Sequence, residues 1–291
     1  MQVSIITPSY NQGPYFLRTL ESVQQQINGV NLEHIVFDGA STDNTLEILA
    51  QYASSNPHLK WTSEKDKGQA HAVNKGILLS KGEIIGWINS DDIYYKDAIK
   101  NVLEVFKANK EVDVVYGMAD HIDKNDIILE EYPSEKWDEK RLLETCYICQ
   151  PTLFLRRRVI DKCGLLDENL QYCMDYEYWL RLNDHGIKFY YLEKKLAGSR
   201  FYEETKTLGA RAKVHHEICQ MFKSKYNYVP AKWIVNNAFA VIEGKMNKKM
   251  YPRLFLVLIL MHSVYGNIRW NKSISNQYFK LILYGLRRKF G

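Results

Sequence analysis

The chain has 291 residues, 46% of them hydrophobic and 25% charged, which is enough apolar material for a sizeable core and excludes a disordered tail. Its net charge of +5 hides an asymmetry. From Lys206 onward 16 Lys and Arg face only Glu217 and Glu243, a balance of +14, while 23 basic and 32 acidic residues leave −9 over the first 205. A basic segment of that kind points to an anionic partner, either nucleic acid or an anionic membrane face.

Along the first half, strand and helix patterns alternate. Residues 3–7 read as a strand, and 15–25 as a helix with Phe16, Leu20 and Val23 on one side. Residues 33–38 read as a second strand, followed by a Ser41/Thr42 cap and a helix through Leu46, Leu49, Ala50 and Ala53. A third short strand covers 59–62, a helix 69–79, a fourth strand 83–88, a helix 96–108 and a fifth strand 112–116. Repeated alternation with short connections predicts an α/β fold, a mostly parallel open sheet with helices on both faces. One large domain or a domain plus an appendage fits the length. The charge asymmetry divides the chain into 1–205 and a basic, mainly helical region over 206–291.

Each of the first four strands ends in polar, ligand-capable residues: Thr7-Pro8-Ser9-Tyr10-Asn11, Asp38-Gly39-Ala40-Ser41, Glu64-Lys65-Asp66-Lys67-Gly68 and Asn89-Ser90-Asp91-Asp92. In a parallel sheet these ends share one edge, so the four segments are expected to converge on one cleft. The last of them follows the apolar run Glu83-Ile84-Ile85-Gly86-Trp87-Ile88 and stops it abruptly at clustered acids. Hard carboxylate oxygens there suit Mg²⁺ or Mn²⁺, held by one or two carboxylates together with substrate phosphates. The plainer alternative is a strand-end turn in which Ser90 and the aspartates cap the next helix. A second block comprises Gln150-Pro151-Thr152-Leu153-Phe154-Leu155-Arg156, Gly164-Leu165-Leu166-Asp167-Glu168-Asn169-Leu170 and Met174-Asp175-Tyr176-Glu177-Tyr178-Trp179-Leu180-Arg181-Leu182. Trp179, Leu180 and Leu182 predict a helix over 176–185 packed on the sheet. Asp175 is expected just before it, where a helix N-terminus stabilises an anion.

These blocks, in this order and spacing over roughly residues 1–200, resemble the successive signatures of the glycosyltransferase family 2 catalytic domain, which has the GT-A fold. The resemblance rests on Ser4 to Asn11, Phe37 to Asp43, Gly68 to Gly76, Asn89 to Asp92 and the segment around Asp175. It implies inverting transfer of a sugar from a nucleotide diphosphate donor with help from Mn²⁺ or Mg²⁺. Carried across by position, it implies Thr7, Pro8 and Tyr10 lining the nucleoside pocket and Asp38 accepting a hydrogen bond from the base. A carboxylate facing a ring N–H favours uracil, although guanine and thymine offer similar donors. Lys67 would assist the nucleotide end, and Asn89, Ser90 and Asp91 would line the donor site. Asp91 matches the metal-binding second acid of the family's Asp-x-Asp motif, with Asp92 able to share that role. Asn89 stands where the first acid is usual, and Met174 where the family usually has Glu. Asp175 is the expected general base, taking the proton from the acceptor hydroxyl, with Glu177 as the fallback. Arg200 is expected to face the donor.

The N-terminus runs almost directly into a strand, without basic n-region, apolar h-region or cleavage site, which predicts a cytosolic chain. Five cysteines (Cys146, Cys149, Cys163, Cys173, Cys219) are an odd count without framework spacing, which suits reduced thiols. Cys146-x-x-Cys149 has no second pair, and His215-His216 are adjacent rather than at ligand spacing. In the tail, 213–226, 232–243 and 278–290 read as basic helical stretches. Residues 254–261 form an eight-residue apolar run, too short to span a bilayer, which takes about twenty. Aromatic residues interleaved with Lys and Arg suit a helix lying in an anionic membrane interface; packing or dimerisation is the alternative, and no nucleic acid is expected.

Together these features predict a glycosyltransferase moving a sugar, UDP-linked in the first instance, to a lipid-linked or polysaccharide acceptor. The enzyme would be peripheral on the cytoplasmic face of the cell membrane. Two alternatives stand beside it. A sugar-nucleotide nucleotidyltransferase would need a Gly-rich, basic triphosphate loop, and residues 8–13 hold one Gly and no Lys or Arg. A catalytically silent nucleotide-sugar scaffold is motivated by Asn89 and Met174.

Overall fold

A computed structural model of the chain describes residues 1–202, 209–274 and 278–281. The chain divides into two compact units, Met1–Tyr202 and Glu203–Gly291. In the first, the elements are β1 (Val3–Ser9), α1 (Gly13–Gln24), β2 (Leu32–Asp38), α2 (Thr45–Ser54), β3 (Leu59–Ser63), α3 (Gln69–Leu79), β4 (Ile84–Trp87), β5 (Ile93–Tyr94) and α4 (Ala98–Ala108). There follow β6 (Val114–Ile122), β7 (Ile128–Glu131), α5 (Glu139–Leu142), β8 (Phe154–Arg156), α6 (Arg157–Cys163), α7 (Met174–Asp184) and β9 (Phe189–Arg200).

One sheet joins the strands in the order β3-β2-β1-β4-β8-β6-β9-β5, with β7 paired to the last three residues of β6. β1, β2, β3 and β4 pair in parallel; β8 is antiparallel to both β4 and β6, so β6 and its parallel partner β9 run the same way as the first four. Six strands thus share a direction and β5, β7 and β8 oppose it. The five strands expected from sequence are present, the fifth running on to Ile122. The period-2 signal of the others is weak. β5 has two residues, β8 three, and β9 passes through the exposed stretch Glu193–Lys195 before its buried end.

β1 and β2 are buried along their whole length, as expected of strands covered on both faces. Their side chains alternate between two layers. Val36 packs with Phe16, Leu20 and Leu49 of α1 and α2, whereas Ile35 and Phe37 pack with Ala72 of α3. α3 approaches β1 closely: a Cβ added at Gly76 would lie 2.4 Å from Ile6 Cγ2. Ile5 belongs to the opposite layer, with Ile99, Val102 and Phe106 of α4. α7 begins at Met174 rather than 176, so Asp175 is its second residue and lies inside the first turn instead of before it.

The described part of the second unit contains α8 (Arg211–Tyr226), α9 (Ala231–Glu243) and α10 (Pro252–Asn271), with residues 278–281 also helical. Most of the helix expected over 278–290, and Lys206 itself, lie outside the described residues. Ala238 and Ile242 of α9 pack with Phe255 and Ile259 of α10, and Gly266 lets α10 close on Ile234, 2.7 Å from where a Cβ would stand. No described helix is long and apolar enough to cross a membrane. All five cysteines are free thiols.

Candidate active site

The ends of the parallel strands are tied together edge to edge. Gly39 N donates to Ser9 O at 2.8 Å, Glu64 N to Asp38 O at 3.0 Å, and Ile88 N to Ile6 O at 2.9 Å. The loop after β1 is stapled to the loop after β2. Asn11 N donates to Ser41 Oγ (2.8 Å), Thr42 N to Asn11 Oδ1 (2.8 Å), Gln12 N to Thr45 Oγ1 (3.0 Å) and Gly13 N to Asp43 Oδ2 (3.0 Å). Partial burial works against the charge of Asp43, but the hydrogen bonds from Thr45 and Gly13 outweigh it and hold the carboxyl below its usual range. Asp43 therefore serves the start of α1, across the edge from its own helix.

On this edge the expected nucleoside residues are placed differently from one another. Tyr10 is 59% exposed. Thr7 is fully buried, and its hydroxyl shares a hydrogen bond with His34 Nε2 at 2.9 Å; Pro8 is buried beside it. Burial pushes His34 down to about 3, so this pair is a neutral link between β1 and β2. Asp38 is buried, its Oδ2 accepting from Ser41 N (2.9 Å) and Ser63 Oγ (2.7 Å) and its Oδ1 from Ser41 Oγ. A carboxylate accepts about four hydrogen bonds, so room remains for one more donor. Ala40, in the same turn, is held in the left-handed region at φ 63°, which costs an L-residue about 1 kcal/mol. A Cβ at Gly39 would stand 2.9 Å from Asp66 Oδ2 and 3.4 Å from Tyr10 Cδ2, so a bare glycine is flanked by a ring and a carboxylate. Lys67 is exposed, two residues before the start of α3.

The acidic turn after β4 is held from three sides. Asn89 Oδ1 accepts from Gln69 Nε2 of α3 (2.6 Å), and Asn89 Nδ2 donates to Asp92 Oδ2 (3.3 Å). Asp92 is 3% exposed; its Oδ1 accepts from Arg200 N (2.8 Å), and its carboxyl is pushed up to about 8 by burial and then by the neighbouring Asp91 charge. Asp91 is half-buried, with Oδ2 accepting from Tyr202 OH at 3.0 Å and its backbone carbonyl accepting from Arg200 Nε at 2.7 Å. Ser90 is buried.

Arg200 does not face a donor. Its side chain has no exposed surface and also donates to Asp123 O (2.6 Å) and Asp126 Oδ1 (2.5 Å), under the ring of Tyr15 at 4.8 Å. It pins the acidic turn to the β6–β7 hairpin. The expectation failed because an Arg at a strand end reads the same in sequence whether it points outward or lies beneath a turn 109 residues away.

α7 reaches the same neighbourhood. Trp179 stacks on Trp87, the last residue of β4, with ring centroids 5.3 Å apart, and Gln150 Nε2 donates to Trp87 O at 2.7 Å. Asp175, four residues before Trp179 and so on the same helix face, is half-buried, and its Oδ1 accepts from Tyr176 N at 2.7 Å. The Cys149 thiol is raised by burial first and also by the charges of both Asp92 and Asp175, so it lies within electrostatic reach of each. A Cβ on Gly68 would stand 3.2 Å from Gln171 Oε1, bringing the loop before α7 against the start of α3. Glu177 is committed elsewhere. It pairs with Arg181 at 2.7 Å, and Arg181 also holds the carbonyls of Cys163 and Leu165.

For a divalent cation the acidic turn offers one carboxylate, that of Asp91. Asp91 presents hard oxygens there, while both oxygens of Asp92 are engaged by Arg200 and Asn89. Among the described residues no group of three His, Cys, Asp or Glu could hold a metal by itself. This suits a hard cation that takes its other oxygens from a diphosphate. The sequence alone does not single out Gln69, Tyr202, Asp66 or Gln171. Gln69 and Asp66 lie inside sequence motifs, but nothing local marks Tyr202.

The sheet, its crossing order and its ligand edge are those of a GT-A fold. Among solved structures, TarS 1–349 of S. aureus in complex with UDP-GlcNAc superposes with a TM-score of 0.65 at 16% identity, over 99% of this chain and 92% of that one. Mannosyltransferase PcManGT from Pyrobaculum calidifontis, in complex with GDP-Man and Mn²⁺, gives 0.62 at 17%, over 100% and 81%. At these identities the likeness is one of fold. The model of glycosyl transferase family 2 matches residues 4–165, and the chain belongs to that family. Chondroitin synthase of Escherichia coli is 29% identical over 184 residues, 63% of this chain and 27% of the synthase. Hyaluronan synthase of Pasteurella multocida is 28% identical over 236 residues, 78% of this chain and 24% of the synthase. The chain thus spans about a quarter of the length of either synthase.

Proposed function

We propose that the chain is an inverting, metal-dependent glycosyltransferase that moves a sugar from a nucleotide diphosphate sugar, UDP-linked in the first instance, to a hydroxyl of a glycan or lipid-linked acceptor. The observation that carries this reading is the acidic turn after β4, where Gln69, Arg200 and Tyr202 converge on Asn89, Asp91 and Asp92 beside the start of α7. The UDP-GlcNAc and GDP-Man complexes of the structural neighbours support a nucleotide-sugar donor. The polysaccharide synthases among the relatives support a glycan acceptor. The enzyme would be peripheral on the cytoplasmic face of a membrane.

Tyr10 would cover the base, with Asp38 accepting from a ring N–H through its remaining acceptor position and Lys67 near the nucleotide end. Thr7 acts from beneath, fixing the β1–β2 register through His34, and Pro8 is buried beside it. Asp91 would hold the Mn²⁺ or Mg²⁺, which when bound neutralises charge developing on the leaving diphosphate. Asp92 is assigned to the support of Asp91 rather than to the cation. Asp175 takes the proton from the acceptor hydroxyl as that oxygen attacks the anomeric carbon and the bond to the diphosphate breaks. Its place in the first turn of α7 favours the anionic form, so it contributes orientation more than basicity. A single displacement of this kind inverts the anomeric centre and needs no enzyme nucleophile, and Glu177, held by Arg181, is not required.

Donor hydrolysis across UDP-, GDP- and dTDP-sugars, each with Mn²⁺ and with Mg²⁺, tests the reading. Metal-stimulated release of one nucleoside diphosphate is expected. Release from none of them would favour the silent scaffold, and joining of a nucleoside triphosphate to a sugar phosphate would favour the nucleotidyltransferase.

A further inference from the structure

α10 has two apolar faces, and among the described residues only one is covered. Phe255, Ile259, Ser263, Gly266 and Asn267 are buried. On the opposite side Leu254, Val257, Met261, Tyr265 and Ile268 are 48%, 49%, 63%, 58% and 55% exposed. Steps of three, four, four and three residues align these five in one stripe, running about 21 Å along the helix. Met250 and Tyr251, 66% and 53% exposed, extend it just before the helix. An uncovered apolar stripe of this length marks an interaction surface.

The charge around the stripe selects the partner. From Gly244 to Gly291 the chain has ten Lys and Arg and no Asp or Glu. Arg253 and Arg269 are exposed at the two ends of the stripe, with Lys248, Lys249 and Lys272 exposed just beyond. A second copy would bring the same positive field to the contact and repel. An anionic lipid headgroup layer complements it and also offers an acyl boundary for the apolar side chains. α10 cannot span, because it is not apolar enough and its other face is packed.

We propose that the stripe from Leu254 to Ile268 docks the chain on an anionic bilayer, with α10 lying in the plane of the interface. This rests on the peripheral placement proposed above. Vesicle binding is measured without donor or acceptor, so that its failure leaves the assignment of sugar transfer standing.

Flotation of the full chain with phosphatidylglycerol/phosphatidylcholine vesicles tests it against phosphatidylcholine alone. Selective binding to the anionic vesicles is expected, weakening but not vanishing from about 0.05 to about 0.5 M salt, because screening shrinks the charge attraction and leaves apolar burial. The double variant Leu254→Glu/Met261→Glu should bind at least about tenfold more weakly through the loss of two inserted side chains, with an unchanged melting temperature. Arg253→Gln/Arg269→Gln should lose part of the preference for anionic lipid. No flotation at low salt, or equal binding by the Leu254/Met261 variant, would overturn the proposal. So would a dimer in light scattering that the same variant turns into a monomer.

Discussion

The two units of the chain expose their apolar surface in different ways. Nine large, exposed apolar side chains are scattered through Met1–Tyr202, and ten lie in the described part of the second unit, which is about a third as long. The first unit, on the acidic side of the charge divide, invests its polar groups at one sheet edge, where Asp38, Asp92 and Arg200 each hold several partners. The second keeps Lys248, Lys249, Arg253, Arg269 and Lys272 on the surface around an open stripe. Under the two proposals above, chemistry and location are separable: one unit would hold a small charged ligand rigidly, and the other would meet a broad anionic surface.

Five substitutions can break or sharpen that contrast. The largest effect is expected at Asp91→Ala, which should abolish metal-dependent transfer and the metal enhancement of UDP binding. Calorimetry with and without Mn²⁺ checks this, and undiminished enhancement in the variant would remove Asp91 from the cation site. Asp175→Asn should cut turnover by roughly 10²–10⁴, the usual contribution of a positioned base, with UDP affinity nearly unchanged. Near-parental turnover would move the proton transfer elsewhere.

Arg200→Leu should destabilise the chain by about 2–4 kcal/mol, because it leaves two carbonyls without the donor that now satisfies them and removes one of the two guanidinium partners of Asp126, the other being Arg18 at 2.8 Å. Urea unfolding measures it, and a loss below 1 kcal/mol, on the order of one ordinary hydrogen bond, would mean the turn has other support. His34 should make stability depend on pH. Its folded value of about 3 lies below its ordinary 6.5. Between the two the unfolded chain binds one more proton than the folded one. Stability therefore rises with pH across that window and falls on acidification by about 1.4 kcal/mol per unit. His34→Gln should flatten this slope in unfolding midpoints, and an unchanged slope would assign the acid sensitivity to another group. The smallest effect is expected at Leu254→Glu, whose side chain is about half exposed. Its stability should stay within about 0.5 kcal/mol of the parent. A larger loss in thermal unfolding would show that the stripe is packed rather than open.

Much of the first unit was legible in the sequence because its strands carry continuous apolar runs and its helices a 3.6-residue period, both local signals. The four strand-end segments could be assigned to one edge because parallel strands leave no alternative. The stripe on α10 was only partly legible. The run over 254–261 stood out, but an unbroken run does not say which residues face outward, and packing against α9 decided that. Residues joined across long stretches of chain were decided by tertiary structure alone. Thr7 turned inward to His34, Asp92 was buried under Arg200, and Tyr202 came to Asp91 from 111 residues away. The local pattern determines which carboxylates reach the sheet edge. Which of them stays available to a ligand depends on donors that only the fold delivers, since a buried carboxylate is stable only where such partners meet it.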